Sequence, residues 1–246
     1  CIYVVDYGMN PLYKDGAEVY DVVHANKDYG GEAEGLHETI QDYKRCSGNR
    51  LLDAGCGTGT HIKYLSDWYD CTGFDISEEL MAVAQNKVHE VSFRQADMKD
   101  LEFDEDFDII TCMFNSICCA MTNEELQQIL DAFSEHLRPG GVVVMEKSQG
   151  GLVDEEDASG SSVSTFEGDD VKVTRAKTWE RRGNQLLQET GLQIIRDGNI
   201  EEYRDSQVSG VFTDDDILSA IEQAGLEAAF DESGPGRGVF IGVSMI

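Results

Sequence analysis

Apolar residues in the first part of the chain recur at helical spacing. "AEVYDVV" and then "EAEGLHETIQDYKRC" predict two amphipathic helices within residues 16–46. A regular alternation follows. "RLLDAG" is a short buried strand, "THIKYLSDWY" a helix, "CTGFDI" a second strand and "SEELMAVAQNKV" a helix with Ser77 as its N-cap. "VSFRQAD" gives a third strand, and "FDIITCMF" a fourth that is continuously apolar, as a strand covered on both faces must be. "NEELQQILDAFSEHL" is a strongly amphipathic helix with Asn123 as its expected cap, and "RPGG" leads into the fifth strand, "VVVMEK". From about residue 160 the period changes from helical to alternating. "SSVSTFEG", "VKVTRAKTWERRGN", "QLLQETGLQIIRDG" and "NIEEYRDSQVSGVF" alternate around Gly, Asn and Asp turns, which is the pattern of an antiparallel meander. A capped helix, "TDDDILSAIEQAG", and a last strand, "GVFIGVSMI", close the chain.

Strands alternating with helices predict an α/β fold, a doubly wound Rossmann-like sheet of about seven strands with an inserted antiparallel β meander. The expected parts are a helical cap over residues 1–46, a core over 47–150, the meander over 151–212, and a C-terminal helix and strand over 213–246 that complete the core sheet. The sequence shows no internal repeat and no low-complexity linker.

Composition narrows the partners. The chain has 48 Asp+Glu against 19 Lys+Arg, a formal net charge of −29, spread along its length. Such a surface repels nucleic acid and anionic membranes, so neither is expected as a partner. Spread acid of this kind resembles the solvation of proteins from salt-loving organisms; a merely acidic protein is the plainer reading. Hydrophobic residues make up 41% of 246 residues, enough for a full core. No apolar run approaches the ~18 residues that span a bilayer, and no basic-then-apolar leader opens the sequence, so a cytoplasmic location is expected. The seven cysteines (1, 46, 56, 71, 112, 118 and 119) form no C-x-x-C pair, which fits reduced, buried thiols better than disulfides or zinc. The five histidines show no metal-binding spacing, so no metal is expected.

The candidate chemistry lies in "LLDAGCGTGTH", residues 51–61. A glycine-rich loop between strand and helix brings backbone N–H groups to a ligand with no Cβ in the way. Gly55, Gly57 and Gly59 give G-x-G-x-G, so the third glycine comes one residue early for a dinucleotide fingerprint, and no Lys-Ser/Thr follows as a P-loop requires. Asp53 precedes the glycines. Asp75 ends the second strand 20 residues after Gly55, where a carboxylate can accept both ribose hydroxyls. Asp97 follows the third strand, where it can meet an exocyclic amine of adenine. Each aspartate alone reads as well as a helix cap or a solvated acid; together, at strand ends, they point to a bound adenosyl group.

"LLDAGCGTGTHIKYL", "GFDIS", "QADM", "FDIITCMF" and "LRPGGVVVMEK", in this order, resemble the motifs of class I S-adenosylmethionine-dependent methyltransferases across residues 45–148. The resemblance implies S-adenosyl-L-methionine as cofactor. Gly55, Cys56 and Gly57 would pass the methionine moiety, with Asp53 beside them, and Asp75 and Ile76 would hold the ribose. Ala96, Asp97 and Met98 would flank the adenine, and Met113 and Phe114 would complete the cofactor set. His61 is placed to bond the cofactor carboxylate, or is simply an exposed helix-start residue. The flanks "AEVYDVVHANKDYGGEAE" and "SGPGRGVFIGV" are similar to the sugar-nucleotide N,N-dimethyltransferases, in which an antiparallel insertion also follows the sheet. By that likeness Tyr13, Tyr20 and Tyr29 would close over the cofactor, and Asn115 and Arg237 would contact the acceptor, Arg237 at an anionic group. A packing stripe for the tyrosines and a surface cation for Arg237 are the competing readings.

Two departures bear on the acceptor. Cys119 stands where the resembled enzymes carry an imidazole or phenol, and "EKSQGGLVDE" replaces a Trp-rich stretch lining their sugar site. Adjacent Cys118 and Cys119 raise a thiol or metalloid acceptor as an alternative; small buried side chains near the cofactor are the plainer reading. Methyl transfer from a sulfonium is an in-line displacement whose leaving group needs no proton, so alignment is the main task. A neutral amine is the expected nucleophile, with Tyr13, His24 and Cys119 as acceptor-side candidates. The expected protein is a small-molecule amine methyltransferase, monomeric or a homodimer, possible acceptors including an aminosugar. A catalytically silent S-adenosylmethionine-binding partner protein and a nicotinamide oxidoreductase are the competing classes.

Overall fold

The computed structural model describes residues 11–146 and 158–246. The chain opens with single 3-10 turns at Pro11–Tyr13 and Ala17–Val19, a one-turn helix α1 (Tyr20–Val23) and the longer α2 (Tyr29–Tyr43). Strands β1 (Arg50–Ala54), β2 (Asp70–Asp75), β3 (Ser92–Gln95), β4 (Phe107–Cys112) and β5 (Leu137–Glu146) then alternate with helices α3 (Thr60–Leu65), α4 (Glu78–Lys87) and α5 (Asn123–Glu135). Four long strands follow, β6 (Ser159–Glu167), β7 (Val171–Arg182), β8 (Gln185–Arg196) and β9 (Asn199–Gly210), and the chain closes with α6 (Asp214–Gln223), β10 (Leu226–Asp231) and β11 (Val239–Ser244).

The strands form a seven-stranded sheet in the order β10-β11-β5-β4-β1-β2-β3 and a separate four-stranded antiparallel sheet, β6-β7-β8-β9. In the larger sheet only β11 runs against its neighbours, pairing antiparallel with both β5 and β10. This is the doubly wound, Rossmann-like sheet with a separate antiparallel meander that the sequence predicts. β1 is flanked by β2 on one side and β4 on the other, so the strand order reverses at β1. Sheets of this kind open a crevice at the carboxyl ends of the strands at such a reversal.

Both faces of the central strands are buried, which explains their unbroken apolar runs. On one face Leu52, Ile110, Val143 and Met145 pack with Leu126, Ile129 and Phe133 of α5 and Ile217 and Ile221 of α6. On the other, Leu51, Ile109, Val142 and Val144 meet Leu36 and Ile40 of α2 and Ile62 and Leu65 of α3. A third cluster joins the meander to the crevice: Val173, Leu192 and Ile194 pack against Leu12, Val19, Tyr20 and Val23 of the N-terminal segment and Leu80 of α4. The N-terminal segment thus lies between the meander and the core. The β8–β9 hairpin turns through Asp197 (φ 50°) and Gly198 (φ 79°), the two left-handed positions that an Asp-Gly pair supplies in a tight hairpin.

Some local expectations are corrected. Thr122, not Asn123, caps α5, because its side chain accepts the Glu125 N–H while Asn123 is already helical. α3 ends at Leu65, short of "SDWY". The first of the two N-terminal helices amounts to a single α turn after two 3-10 turns. β10 is an additional strand: only Leu226 in it is fully buried, so no alternating pattern marks it. Among the described residues no helix is long and apolar enough to cross a membrane.

Candidate active site

The crevice is built on backbone geometry. Gly55, Gly57 and Gly59 have φ of 71°, 55° and 70°, left-handed values that favour glycine at every second position. At Gly57 a Cβ would meet nothing within 4 Å, so this turn borders open space, as a ligand cradle must. The loop is fixed from beneath: Gly55 and Cys56 donate to the Phe74 carbonyl, both at 2.9 Å. Asp75 accepts the Gly57 N–H at 2.9 Å and the Ser77 N–H at 3.0 Å, one on each carboxylate oxygen. Burial raises the Asp75 pKa, opposed by these backbone hydrogen bonds. Each oxygen keeps a lone pair for a further donor.

Asp53 lies one strand below, 2% exposed, and accepts the Thr111 hydroxyl at 2.8 Å. Burial pushes its pKa up to about 6. Next to Asp75, Ile76 is 50% exposed, an apolar face without cover. Across from it Ala96 donates its N–H to the Asp75 carbonyl (3.1 Å), Asp97 caps the 3-10 turn Met98–Asp100, and Met98 is buried.

The N-terminal segment roofs this cradle. Tyr13 and Tyr20 lie 6.3 Å apart between ring centroids, and Tyr20 leans on His24 at 4.3 Å. Burial, with Asp75 nearby, pushes the Tyr13 phenol up to about 12, so it stays protonated. His24 Nδ1 is 2.9 Å from the Tyr20 carbonyl, which can only accept, so Nδ1 carries the hydrogen and Nε2 is left as an acceptor. Burial pushes the His24 pKa down to about 4, with Arg175 and Lys177 adding to the effect, so the imidazole is neutral at pH 7. The segment is tied to the loop by Asp21. Its carboxylate accepts the Thr58 hydroxyl at 2.6 Å and pairs with Lys87 at 2.5 Å, and Lys87 also donates to Thr60 at 2.7 Å.

After β4 the chain makes a strained turn. Phe114 (φ 54°) and Asn115 (φ 66°) are both left-handed without being glycine, a conformation held only when its surroundings enforce it. The enforcing contact is Glu146 at the end of β5, which accepts the Phe114 N–H at 2.5 Å. The Phe114 ring then meets His24 edge-on at 5.2 Å and lies under the Lys27 ammonium at 4.5 Å.

Lys27, Glu32, His61 and Glu146 converge here from three parts of the chain. Glu32 takes Lys27 at 2.5 Å and His61 Nε2 at 2.9 Å. Burial would raise its pKa, but those two hydrogen bonds hold it below the usual carboxylate range. His61 is buried at 7% exposure and packs edge-on against Tyr29 at 4.9 Å. It is therefore not an exposed helix-start residue, and one ring nitrogen is already committed to a carboxylate.

The remaining candidates spread outward. Met113 is a core side chain, 3% exposed. Asn115 accepts from Cys118 Sγ at 3.1 Å, while Cys119 Sγ lies 4.0 Å from Met98 Sδ. The adjacent cysteines thus point to different neighbours and do not form a dithiol site. Cys118 is buried as expected, but Cys119 is exposed, because it sits at the surface end of the turn that follows β4; local desolvation and Asp97 push its pKa up to about 11, so it remains a thiol. Arg237 is exposed on the loop between β10 and β11, whose Gly236 abuts Glu146. The segment replacing the Trp-rich stretch lies, after Glu146, outside the described residues.

Asp21, Lys27, Glu32 and Glu146 are site residues that the sequence reading passed over. Each is an ordinary charge in its local context; the one local signal is Glu146, a buried acid directly after the apolar run Val142–Met145.

Comparison with known proteins agrees with this geometry. A family model described as a methyltransferase domain matches residues 51–141. The dTDP-3-amino-3,4,6-trideoxy-alpha-D-glucopyranose N,N-dimethyltransferase of Streptomyces venezuelae is 32% identical over 235 residues, spanning 93% of this chain and 98% of its own length. The dTDP-3-amino-3,6-dideoxy-alpha-D-glucopyranose N,N-dimethyltransferase of Streptomyces fradiae is 32% identical over 92% of this chain and 90% of its own. The crystal structure of Streptomyces venezuelae DesVI superposes with a TM-score of 0.84 at 30% identity, covering 94% of this chain and 98% of that one. Neither the silent binding protein nor the thiol or metalloid acceptor finds support in these relatives.

Proposed function

The chain belongs to the class I S-adenosylmethionine-dependent methyltransferases, and from that premise we propose that it methylates the amino nitrogen of an aminosugar carried on a nucleotide. The observation carrying this reading is the junction of two surfaces: the Gly57–Asp75 cradle opens beneath a wall formed by Tyr13, His24 and the enforced Phe114 turn.

The cofactor, when bound, supplies a methyl group on a positively charged sulfur. Around it, the free lone pairs of Asp75 would accept ribose hydroxyls, and Ile76, Ala96, Asp97 and Met98 would border the adenine. Gly55, Cys56 and Gly57 border the methionine end, with Asp53 and Lys27 as its charged neighbours. His61 acts as a positioning residue there, holding Glu32 in place. Tyr20 and Tyr29 close the cradle, and their ring faces favour a cationic sulfur.

An amine attacks only when neutral, and it must approach in line with the carbon–sulfur bond. His24 presents Nε2 as an acceptor for an amine N–H, which aims the nitrogen lone pair away from the imidazole and toward the methyl group. With a pKa of about 4, His24 orients the amine without holding its proton, which leaves to solvent. Tyr13 offers its O–H as donor to an acceptor hydroxyl, and Asn115 and Arg237 border the acceptor from the opposite side. Cys119, held as a thiol, occupies space and takes no proton.

The test is a panel of nucleotide-linked aminosugars, free aminosugars and thiols, followed by S-adenosylhomocysteine release and by the mass of the product. Gain of one or two methyl groups on a nucleotide-linked aminosugar is expected. Turnover confined to thiols, or S-adenosylhomocysteine binding with no turnover on any amine, overturns the reading.

A further inference from the structure

Glu146 is a site carboxylate to which the methyl-transfer scheme gives no part. It closes β5 at 2% exposure, directly after four buried apolar residues, and pairs across the sheet with Val239 of β11. Burying a carboxylate is costly, so its partners carry the explanation. Burial raises its pKa, and Lys27 and the Phe114 N–H act against that rise. The two oxygens meet different loops. Oε2 accepts the Phe114 N–H at 2.5 Å, and Oε1 faces Gly236, where a Cβ would come within 3.0 Å. Gly236 has φ 72°, so the β10–β11 turn passes this close to the carboxylate as glycine.

The turn it grips is held against its own preference. Phe114 and Asn115 are consecutive non-glycine residues at φ 54° and 66°, and a bulky aromatic residue is a rare occupant of that region. Phe114 lies beyond the end of β4, and the 3-10 turn Ser116–Cys119 starts only after Asn115. The bonds that close this stretch, Ser116 N–H to the Met113 carbonyl and Cys118 N–H to the Asn115 carbonyl, both 3.1 Å, leave the Phe114 amide out. Glu146 supplies what is missing. A charge-assisted hydrogen bond is about twice as strong as a neutral one, which is what a carboxylate offers over an amide or a hydroxyl at this place.

That conformation decides where the Phe114 ring goes. The ring meets His24 at 5.2 Å with the two planes at 88°, and the Lys27 ammonium stands over its face at 4.5 Å. On its other side His24 leans on Tyr20 at 4.3 Å and donates Nδ1–H to the Tyr20 carbonyl at 2.9 Å. The imidazole is therefore clamped between its own helical turn and a ring that Glu146 aims. A Phe114 relaxed to negative φ re-aims its Cα–Cβ bond, and the ring with it.

We propose that Glu146 is a positioning residue for methyl transfer: through the Phe114 N–H it locks the left-handed turn, and through the Phe114 ring it fixes the His24 imidazole that faces the acceptor amine. The inference rests on the reading of His24 as the group that orients the amine, and adds the residue on which that orientation depends. Glu146 takes no proton and touches no reacting atom. Its effect passes through His24, so the two residues act as a unit and their losses do not add. It also passes through backbone strain, so a residue that adopts positive φ freely makes the carboxylate less necessary.

The experiment is a double-mutant cycle in steady-state methylation of a dTDP-linked aminosugar, with Glu146→Ala, Glu146→Gln, His24→Phe and each Glu146 variant combined with His24→Phe. Glu146→Ala is expected to lower kcat about ten- to thirtyfold, and Glu146→Gln, which keeps an acceptor for the Phe114 N–H, about three- to tenfold. The loss falls in kcat rather than in the KM for the cofactor. In the His24→Phe background either change costs less than about threefold. Asn115→Gly, which takes φ 66° without strain, shrinks the Glu146→Gln loss by about threefold relative to the Asn115→Gly chain alone. S-adenosylhomocysteine binding shows that each variant is folded; if Glu146→Ala is not, Glu146→Gln carries the cycle. Nitrogen NMR of the His24 ring reads its Nδ1–H tautomer without turnover, and Glu146→Gln is expected to shift those signals. Losses that multiply across the His24→Phe cycle, or His24 signals that stay in place, overturn the proposal. If the signals shift while wild type methylates no aminosugar, the function proposed above fails and the hold of Glu146 on His24 stands.

Discussion

The cofactor cradle and the meander face it are opposites in how they prepare for a ligand. In the cradle the polar groups are partnered in advance: Asp75 holds the Gly57 and Ser77 amides, Asp53 holds Thr111, and the loop hangs from the Phe74 carbonyl. On the meander face Arg175 and Lys177 stand side by side without counter-charge among the described residues. The first region has its ordering cost met by the fold; the second keeps the mutual repulsion of two half-buried cations. Preorganised hydrogen bonds give affinity for one fixed cofactor, whereas an unneutralised pair gives a preference for ligands of one charge.

Removing the partnering in the cradle gives the largest expected effect. Asp75→Ala frees two backbone amides and removes the ribose acceptor, so S-adenosylhomocysteine affinity should fall by about a hundredfold or more, measured calorimetrically. A loss under threefold would place the ribose elsewhere. Next is the acceptor side, where His24→Phe keeps an aromatic ring and removes Nε2; kcat/KM should fall about ten- to a hundredfold with cofactor affinity unchanged. A matching loss of cofactor affinity would move His24 to the other half of the comparison.

Asp53 tests whether the cradle's preparation costs stability. Its folded pKa of about 6 exceeds the ordinary carboxyl value of 3.8, so between about pH 4 and 6 the native state binds more protons and stability falls as pH rises. Asp53→Asn should flatten that slope in thermal unfolding and, above pH 6, raise stability by about 1–3 kcal/mol, while weakening cofactor binding. A Tm that drops at pH 7 would count against it. The smallest effect belongs to Cys119→Ser: a protonated thiol replaced by a hydroxyl should leave kcat within about threefold. A tenfold loss would revive thiol chemistry.

The same division governs what the sequence makes legible. The cradle can be read because its chemistry is local: three glycines at alternate positions, then an acid at the end of the next strand. The cluster of Lys27, Glu32, His61 and Glu146 cannot, since it gathers charges from segments that meet only after the sheet has formed. β10 escaped because pairing with β11, rather than burial, defines it. The meander face offered a faint sign. In "VKVTRAKTW" a period of two puts Val171, Val173, Arg175, Lys177 and Trp179 on one side, so apolar residues give way to cations on a face that begins in the core.

The tie between Asp21, Thr58 and Lys87 has a consequence in time rather than in affinity. It fastens the segment carrying Tyr13 and Tyr20 to the glycine loop, so a cofactor bound beneath them would leave only when that fastening opens. An acceptor held by residues outside that fastening need not let go at the same moment. An acceptor that takes two methyl groups would then stay moored while the cofactor is exchanged beneath it, and the release rate of the singly methylated product would measure which of the two doors opens first.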